Sequence, residues 1–216
     1  MTPSVKRRER RRPTETDAAA FDNAVRRYRD SNFGVTAVKV FPGEHYVSRS
    51  PGEMIVTVLG SCVAACVRDP FLCIGGMNHF MLPESHDGQW GNASASLRYG
   101  NFAMERLIND ILGLGGFRGR LEIKVFGGAN VLTNGTMIGH QNSEFIENYL
   151  KAEGLPIAAQ HLYGTHPRRV HYFPSTGQVS MLELRRKSDL EIVSAERAYR
   201  ETLDHTPVAG SVELFE

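Results

Sequence analysis

Cys62 follows Gly60 and Ser61, and a tight Gly-Ser-Cys turn is a place where a thiol can act as a nucleophile. Gly60 permits close approach of another molecule to the backbone. Such a turn can also present the backbone N–H groups of Ser61 and Cys62 to an oxyanion formed by thiolate attack on an amide carbon. A cysteine nucleophile needs a base and conditions that favour its thiolate. His79 lies seventeen residues on. If the flanking apolar runs form an antiparallel hairpin turning at Asp69-Pro70-Phe71-Leu72, opposed residues have numbers that sum to 141. Arg68 then faces Cys73, Val67 faces Ile74, and Cys62 faces His79. Directly opposed residues share a sheet face, with Cβ atoms about 4.5–5.5 Å apart. A slip of one residue in either strand would put the two on opposite faces. His86, His140 and His166 compete for the same role from polar, loop-like stretches, without a register that ties them to Cys62.

The other two cysteines, Cys66 and Cys73, read as small buried hydrophobes. An odd cysteine count without a signal peptide argues against a disulfide framework. The spacing C-x3-C-x6-C fits no common zinc pattern.

The elements that must hold these residues follow from periodicity. Residues 1–16 read as a basic disordered tail, with six basic residues against one Glu leaving +5 over the first twelve. No aromatic residues interleave those charges to stack on bases, which argues against a nucleic-acid contact. Asp17–Asp30 has Phe21, Val25 and Tyr28 at helical spacing and predicts a helical extension over 17–31. A single domain over 32–216 follows. Its strand candidates are Val35–Phe41, Met54–Leu59, Cys62–Val67, Ile74–Phe80, Leu121–Phe126, Ile157–Leu162, Arg169–Phe173, Val179–Leu184 and Ser211–Phe215. Residues 83–96 read as a loop. Met104, Leu107, Ile108, Ile111 and Leu112 mark one helix, ended by Gly113 and Gly115-Gly116. Phe145, Ile146, Tyr149 and Leu150 mark another, capped by Asn142 and stopped by Gly154 and Pro156. Leu190–Leu203 is a further helix candidate. Strands often follow one another directly, which predicts an α+β fold: a layered sandwich of mixed, largely antiparallel sheets with packed helices.

The chain has 216 residues and a net charge of +1, so the whole protein is no polyanion binder. It contains no apolar run near the roughly 20 residues of a membrane span. The polar, basic N-terminus lacks the apolar core of a secretory signal, so the expected compartment is the cytoplasm.

Longer stretches sharpen the reading. Thr57-Val-Leu-Gly-Ser-Cys62-Val-Ala-Ala-Cys66 and Gly75-Gly-Met-Asn-His79-Phe-Met-Leu-Pro83 resemble the chemoreceptor glutamine deamidase family, CheD. So do Arg98-Tyr-Gly-Asn-Phe-Ala-Met104, Lys124-Val-Phe-Gly-Gly-Ala-Asn130, Ile138-Gly-His-Gln-Asn142 and Arg168-Arg-Val-His-Tyr-Phe-Pro174. The resemblance spans roughly residues 35–185. It implies a cysteine hydrolase that converts receptor glutamines to glutamates, with Cys62 as nucleophile, His79 as base and Thr57 as a third residue. It implies an α/β sandwich related to bacterial toxin deamidases. It also implies chemoreceptor cytoplasmic helices as substrate and a CheC-type chemotaxis phosphatase as partner, with no cofactor or metal. The alternative is a regulatory binding protein acting on that phosphatase, although a pure adaptor would need neither Cys62 nor His79.

Overall fold

A computed structural model of the chain describes residues 26–82, 90–131, 137–185 and 199. The basic tail, most of the 17–31 extension, the 211–215 strand and His86 lie outside these residues. So does the 190–203 helix, apart from Tyr199.

Among the described residues, ten strands form two five-stranded sheets. In chain order they are β1 (Arg27–Asp30), β2 (Val35–Lys39), β3 (His45–Ser48), β4 (Glu53–Leu59) and β5 (Val63–Asp69). They continue as β6 (Ile74–Asn78), β7 (Glu122–Gly127), β8 (Ile157–Leu162), β9 (Arg168–Phe173) and β10 (Gln178–Glu183). Helix α1 spans Trp90–Gly113, with side chains described from residue 97, and α2 spans Ile138–Ala152. The first sheet runs β1-β2-β4-β9-β10 and the second β3-β6-β5-β7-β8. Each has one parallel pair, β2 with β4 and β7 with β8, and is otherwise antiparallel. This is an α+β layered arrangement, as the run of consecutive strands predicts.

Period-two alternation sorts the side chains into layers. Ile55, Leu59, Val170 and Tyr172 of the first sheet meet Ala64, Cys66, Met77 and Phe126 of the second in one buried cluster. The second sheet's other face carries Val63, Ala65, Val67, Ile74, Ile123 and Val125. It packs against Met104, Leu107, Ile108 and Ile111 of α1 and Phe145, Ile146, Tyr149 and Leu150 of α2. The second sheet is therefore the middle layer, covered on both faces. Each fully buried aliphatic or aromatic side chain contributes about 1.5–3 kcal/mol.

Several expectations are corrected. Arg27–Asp30 is an edge strand, not the end of a helix, paired with β2 from Arg27↔Val38 to Asp30↔Val35. The helical spacing of Tyr28 yields to that pairing. Residues 90–96, read as loop, already belong to α1. Helix α2 begins at Ile138, so Asn142 is inside it and does not cap it; Met137 precedes the helix without a side-chain cap.

The β5–β6 hairpin is one residue longer on its first strand than expected. Cys66 pairs with Met77 and Asp69 with Ile74, so partners sum to 143 and not 141. The cause is Asp69. It stays in the strand, and its Oδ1 accepts N–H bonds from Phe71 at 2.9 Å and Leu72 at 3.3 Å. The loop becomes Pro70–Cys73, and Cys73 takes a left-handed φ of 54°. Cys73 is exposed, contrary to the expectation of burial.

Candidate active site

Cys62 stands where the chain passes from one sheet to the other. β4 ends at Leu59 in the first sheet and β5 begins at Val63 in the second. The three carbonyls of this crossing are all bonded. Gly60 O accepts from Ala129 N at 2.8 Å, Ser61 O from Asn142 Nδ2 at 2.9 Å, and Cys62 O from Gly128 N at 2.7 Å. These bonds explain the Phe-Gly-Gly-Ala run. A Cβ on Gly127 would lie 2.2 Å from Cys62 O, and one on Gly128 would lie 1.8 Å from Ser143 Oγ. Both glycines have positive φ, 116° and 68°. Only chain without side chains at both positions can lie this close to the turn and to α2.

The register of 143 sets Cys62 opposite Met81 and leaves His79 one step along the ladder, two residues away. A shift of two in the sum preserves parity, so Cys62 and His79 remain on one face as diagonal neighbours. Diagonal Cβ atoms lie somewhat under about 7–8 Å apart. That face is the seam between the sheets. Cys62 is buried there beside Val40, Ala64, Cys66 and Met81.

His79 is buried and held by its main chain: its N–H donates to Glu44 O at 2.9 Å, and its carbonyl accepts from Gly43 N at 2.7 Å. Its ring reaches across the seam. Nδ1 lies 2.7 Å from Thr57 Oγ1, and Thr57 Oγ1 donates to Val40 O at 2.7 Å. Thr57 faces the seam because Ile55, Thr57 and Leu59 alternate inward along β4. A hydroxyl has one hydrogen, and a carbonyl can only accept. With that hydrogen on Val40 O, Thr57 accepts from Nδ1–H, which leaves the lone pair on Nε2. Nε2 is buried and makes no hydrogen bond among the described residues, to Cys62 or any other. Catalytic bonds of this kind commonly tighten only with substrate in place. Burial lowers the imidazole pKa to about 4, slightly opposed by the Val40 carbonyl, so the ring is neutral at ordinary pH. A neutral ring with its lone pair on Nε2 is the form a base requires.

The remaining candidates sit elsewhere. Cys66 is buried on the same face, where desolvation pushes its thiol far above the ordinary range and makes it a poor nucleophile. His140, on α2, pairs with Glu144 at 3.4 Å and packs on the Tyr163 ring. His166 contacts neighbouring Thr165 at 3.2 Å. Among the described residues no group of three or more His, Cys, Asp or Glu side chains could hold a metal ion.

Three residues of this neighbourhood escape sequence reasoning. Asn142 is fully buried and bridges the Gly60–Ser61–Cys62 turn to Leu82, whose N–H donates to Oδ1 at 2.9 Å. Its signal was present: residues 142, 145, 146 and 149 share one helix face, so Asn142 is a polar residue on an apolar stripe. Tyr99 of α1 and Tyr199 join their hydroxyls at 2.5 Å. Burial raises both phenol pKa values. Tyr199 also packs on Gly43, the residue that holds the His79 carbonyl. Nothing in local spacing links positions 99 and 199.

Comparison with known proteins gives the family of the chain. The family profile described as "CheD chemotactic sensory transduction" matches residues 81–183. A "Probable chemoreceptor glutamine deamidase CheD" of Rhodopseudomonas palustris (strain BisA53) is 63% identical over 193 residues, covering 89% of this chain and 91% of that protein. Proteins of the same name from Saccharophagus degradans and Xanthomonas campestris pv. campestris (strain B100) are 50% and 52% identical. The match covers 88% of this chain and 90% of the Saccharophagus protein, and 89% of this chain and 96% of the Xanthomonas one. Similarity of this extent, over nearly the whole of both chains, shows that the chain belongs to the CheD family.

Proposed function

We propose that the protein deamidates glutamine side chains of chemoreceptors, with Cys62 as nucleophile and His79 as general base and acid. The observation that carries this reading is geometric: a buried imidazole whose Nδ1 lies 2.7 Å from Thr57 Oγ1 and whose Nε2 has no hydrogen-bond partner among the described residues, on the sheet face that also bears Cys62. The names of the relatives supply the substrate class.

In this mechanism Nε2 takes the Cys62 proton and the thiolate attacks the glutamine δ-carbon. Negative charge moves to the amide oxygen, where backbone N–H groups of the Gly60–Ser61–Cys62 turn stabilise it. Support for that role is the anchoring of all three turn carbonyls, which fixes the peptide planes in advance. The carbon–nitrogen bond then breaks, and ammonia leaves with the proton from His79. Water attacks the thioester as His79 removes its proton. The carbon–sulfur bond breaks, glutamate is released, and the proton returns to the thiolate. The chemistry uses no cofactor. Each turnover adds one carboxylate to a receptor helix, where like charges at helical spacing repel. No helix of the described residues is long and apolar enough to cross a membrane.

The test is incubation with a purified receptor cytoplasmic fragment and peptide mass spectrometry for conversion of glutamine to glutamate. Conversion is expected with the parent chain, Cys66→Ala and Cys73→Ala, and absent with Cys62→Ala. Full conversion by Cys62→Ala overturns the mechanism.

A further inference from the structure

The β5–β6 ladder is opened beside the nucleophile. Val63 and Phe80 form a closed rung, each donating its N–H to the other's carbonyl at 2.9 Å. In an antiparallel ladder every second pair is bonded in this way, so the next rung toward Cys62 belongs to Ser61 and Leu82. Continuing the register of 143 sets these two opposite each other. The Leu82 N–H and the Ser61 carbonyl are both taken up by a third residue. The carboxamide of Asn142, from α2, lies between them: Nδ2 donates to Ser61 O at 2.9 Å, and Leu82 N donates to Oδ1 at 2.9 Å. The side chain is fully buried and inserts as an extra peptide-like group in the rung. On the other side of the closed rung, Ala65 N donates at 2.8 Å to the side-chain oxygen of Asn78. Cys62 and His79 therefore lie along a stretch where one closed rung is flanked by two carboxamides.

We propose that Asn142 is a positioning residue of the thiol site, setting the separation of the Cys62 chain from the chain that carries His79. The proposal rests on the Cys62–His79 reading. Direct closure of the Ser61–Leu82 rung would bring the two chains to ordinary ladder spacing, about 4.7–4.9 Å. The inserted carboxamide holds them further apart at Cys62, where a substrate amide must enter between sulfur and imidazole. Its two hydrogen bonds demand one donor and one acceptor on a short planar group, which among side chains of this length only asparagine supplies. Aspartate has the same shape but places a carboxylate oxygen against Ser61 O. Alanine leaves the rung free to close.

The test compares the parent with full-length Asn142→Asp, Asn142→Ser and Asn142→Ala. Folding is followed by circular dichroism. Receptor-fragment deamidation gives kcat and KM, and iodoacetamide alkylation of Cys62, read by peptide mapping, is measured against pH. The expected result in folded variants is a fall in kcat of about 100-fold with little change in KM, as for a misplacement of about 1 Å. The pH midpoint of Cys62 alkylation is expected to move away from the parent's, while that of exposed Cys73 stays fixed. Parental kcat, or an unshifted Cys62 profile in folded Asn142→Asp or Asn142→Ser, overturns the proposal. If the parent deamidates no receptor glutamine but the profile still shifts, the deamidase reading fails and the positioning role stands.

Discussion

Replacing Thr57 by valine removes one hydroxyl and leaves the volume of β4 almost intact. Two bonds are lost, the donation to Val40 O and the acceptance from His79 Nδ1. With two buried polar groups left unpaired, a loss of about 1–3 kcal/mol in stability is expected. The larger effect falls on turnover, because nothing then fixes the Nδ1–H tautomer. Thr57→Val should lower kcat by about 10²–10⁴-fold, the range of a lost acid–base contribution, and Thr57→Ser should retain most of it. Steady-state kinetics on a receptor fragment checks both. Burial of His79 carries a signature of its own. The folded ring titrates at about 4 and the unfolded ring at about 6.5. Between these values the unfolded chain holds a proton that the folded chain refuses, so stability rises with pH across this window and levels off above it. On the order of 3 kcal/mol is at stake. Denaturant titrations at several pH values should show this rise in the parent and a flatter curve in His79→Gln.

The hairpin shows what local sequence reveals and where it stops. Short apolar runs made both strands legible, and Asp-Pro marked the turn. The register was set by the Asp69 carboxylate, which collects bonds from Phe71, Leu72, Phe117 and Arg120. Phe117 and Arg120 lie far along the chain, so the pull that keeps Asp69 in the strand is invisible from the turn itself. Arg120, followed by these backbone N–H donors, holds the carboxyl down at about 2. Its stabilisation is complete above the ordinary carboxylate pKa of about 3.9 and is lost as pH falls toward 2. Asp69→Asn keeps one acceptor oxygen for all these donors. A loss of about 1–3 kcal/mol at neutral pH is expected, read by chemical denaturation, with the difference from the parent narrowing in acid. Elsewhere, the apolar stripes of α1 and α2 and their glycine stops were legible because they are periodic. The strand His45–Ser48 was not, being short and half-buried, and Tyr28 misled because an edge strand exposes part of each face. Asn142 was visible as a residue, but its task depends on a rung between residues 61 and 82 that no helical period encodes.

Two sheets and a helical layer give the molecule two interiors of different texture. The one beneath the helices is lined mainly by Leu, Ile, Val, Phe and Tyr, with one Met, Met104, and one Ala, Ala65. The seam between the sheets, which holds Cys62 and His79, includes Met77, Met81, Cys66 and Ala64. Methionine adapts its shape at little cost, and the seam carries two, Met77 and Met81, close to Cys62 and His79. Thr57 belongs to one sheet, while Cys62 and His79 lie at the ends of two interior strands of the other. The site is therefore a gauge of how the sheets sit on each other. Hydrostatic pressure favours states that eliminate voids, and a soft interior yields first. Under rising pressure, turnover should fall while far-ultraviolet dichroism is still intact and return when the pressure is released. A site built this way would stop working by its two sheets sliding apart, long before either sheet had melted.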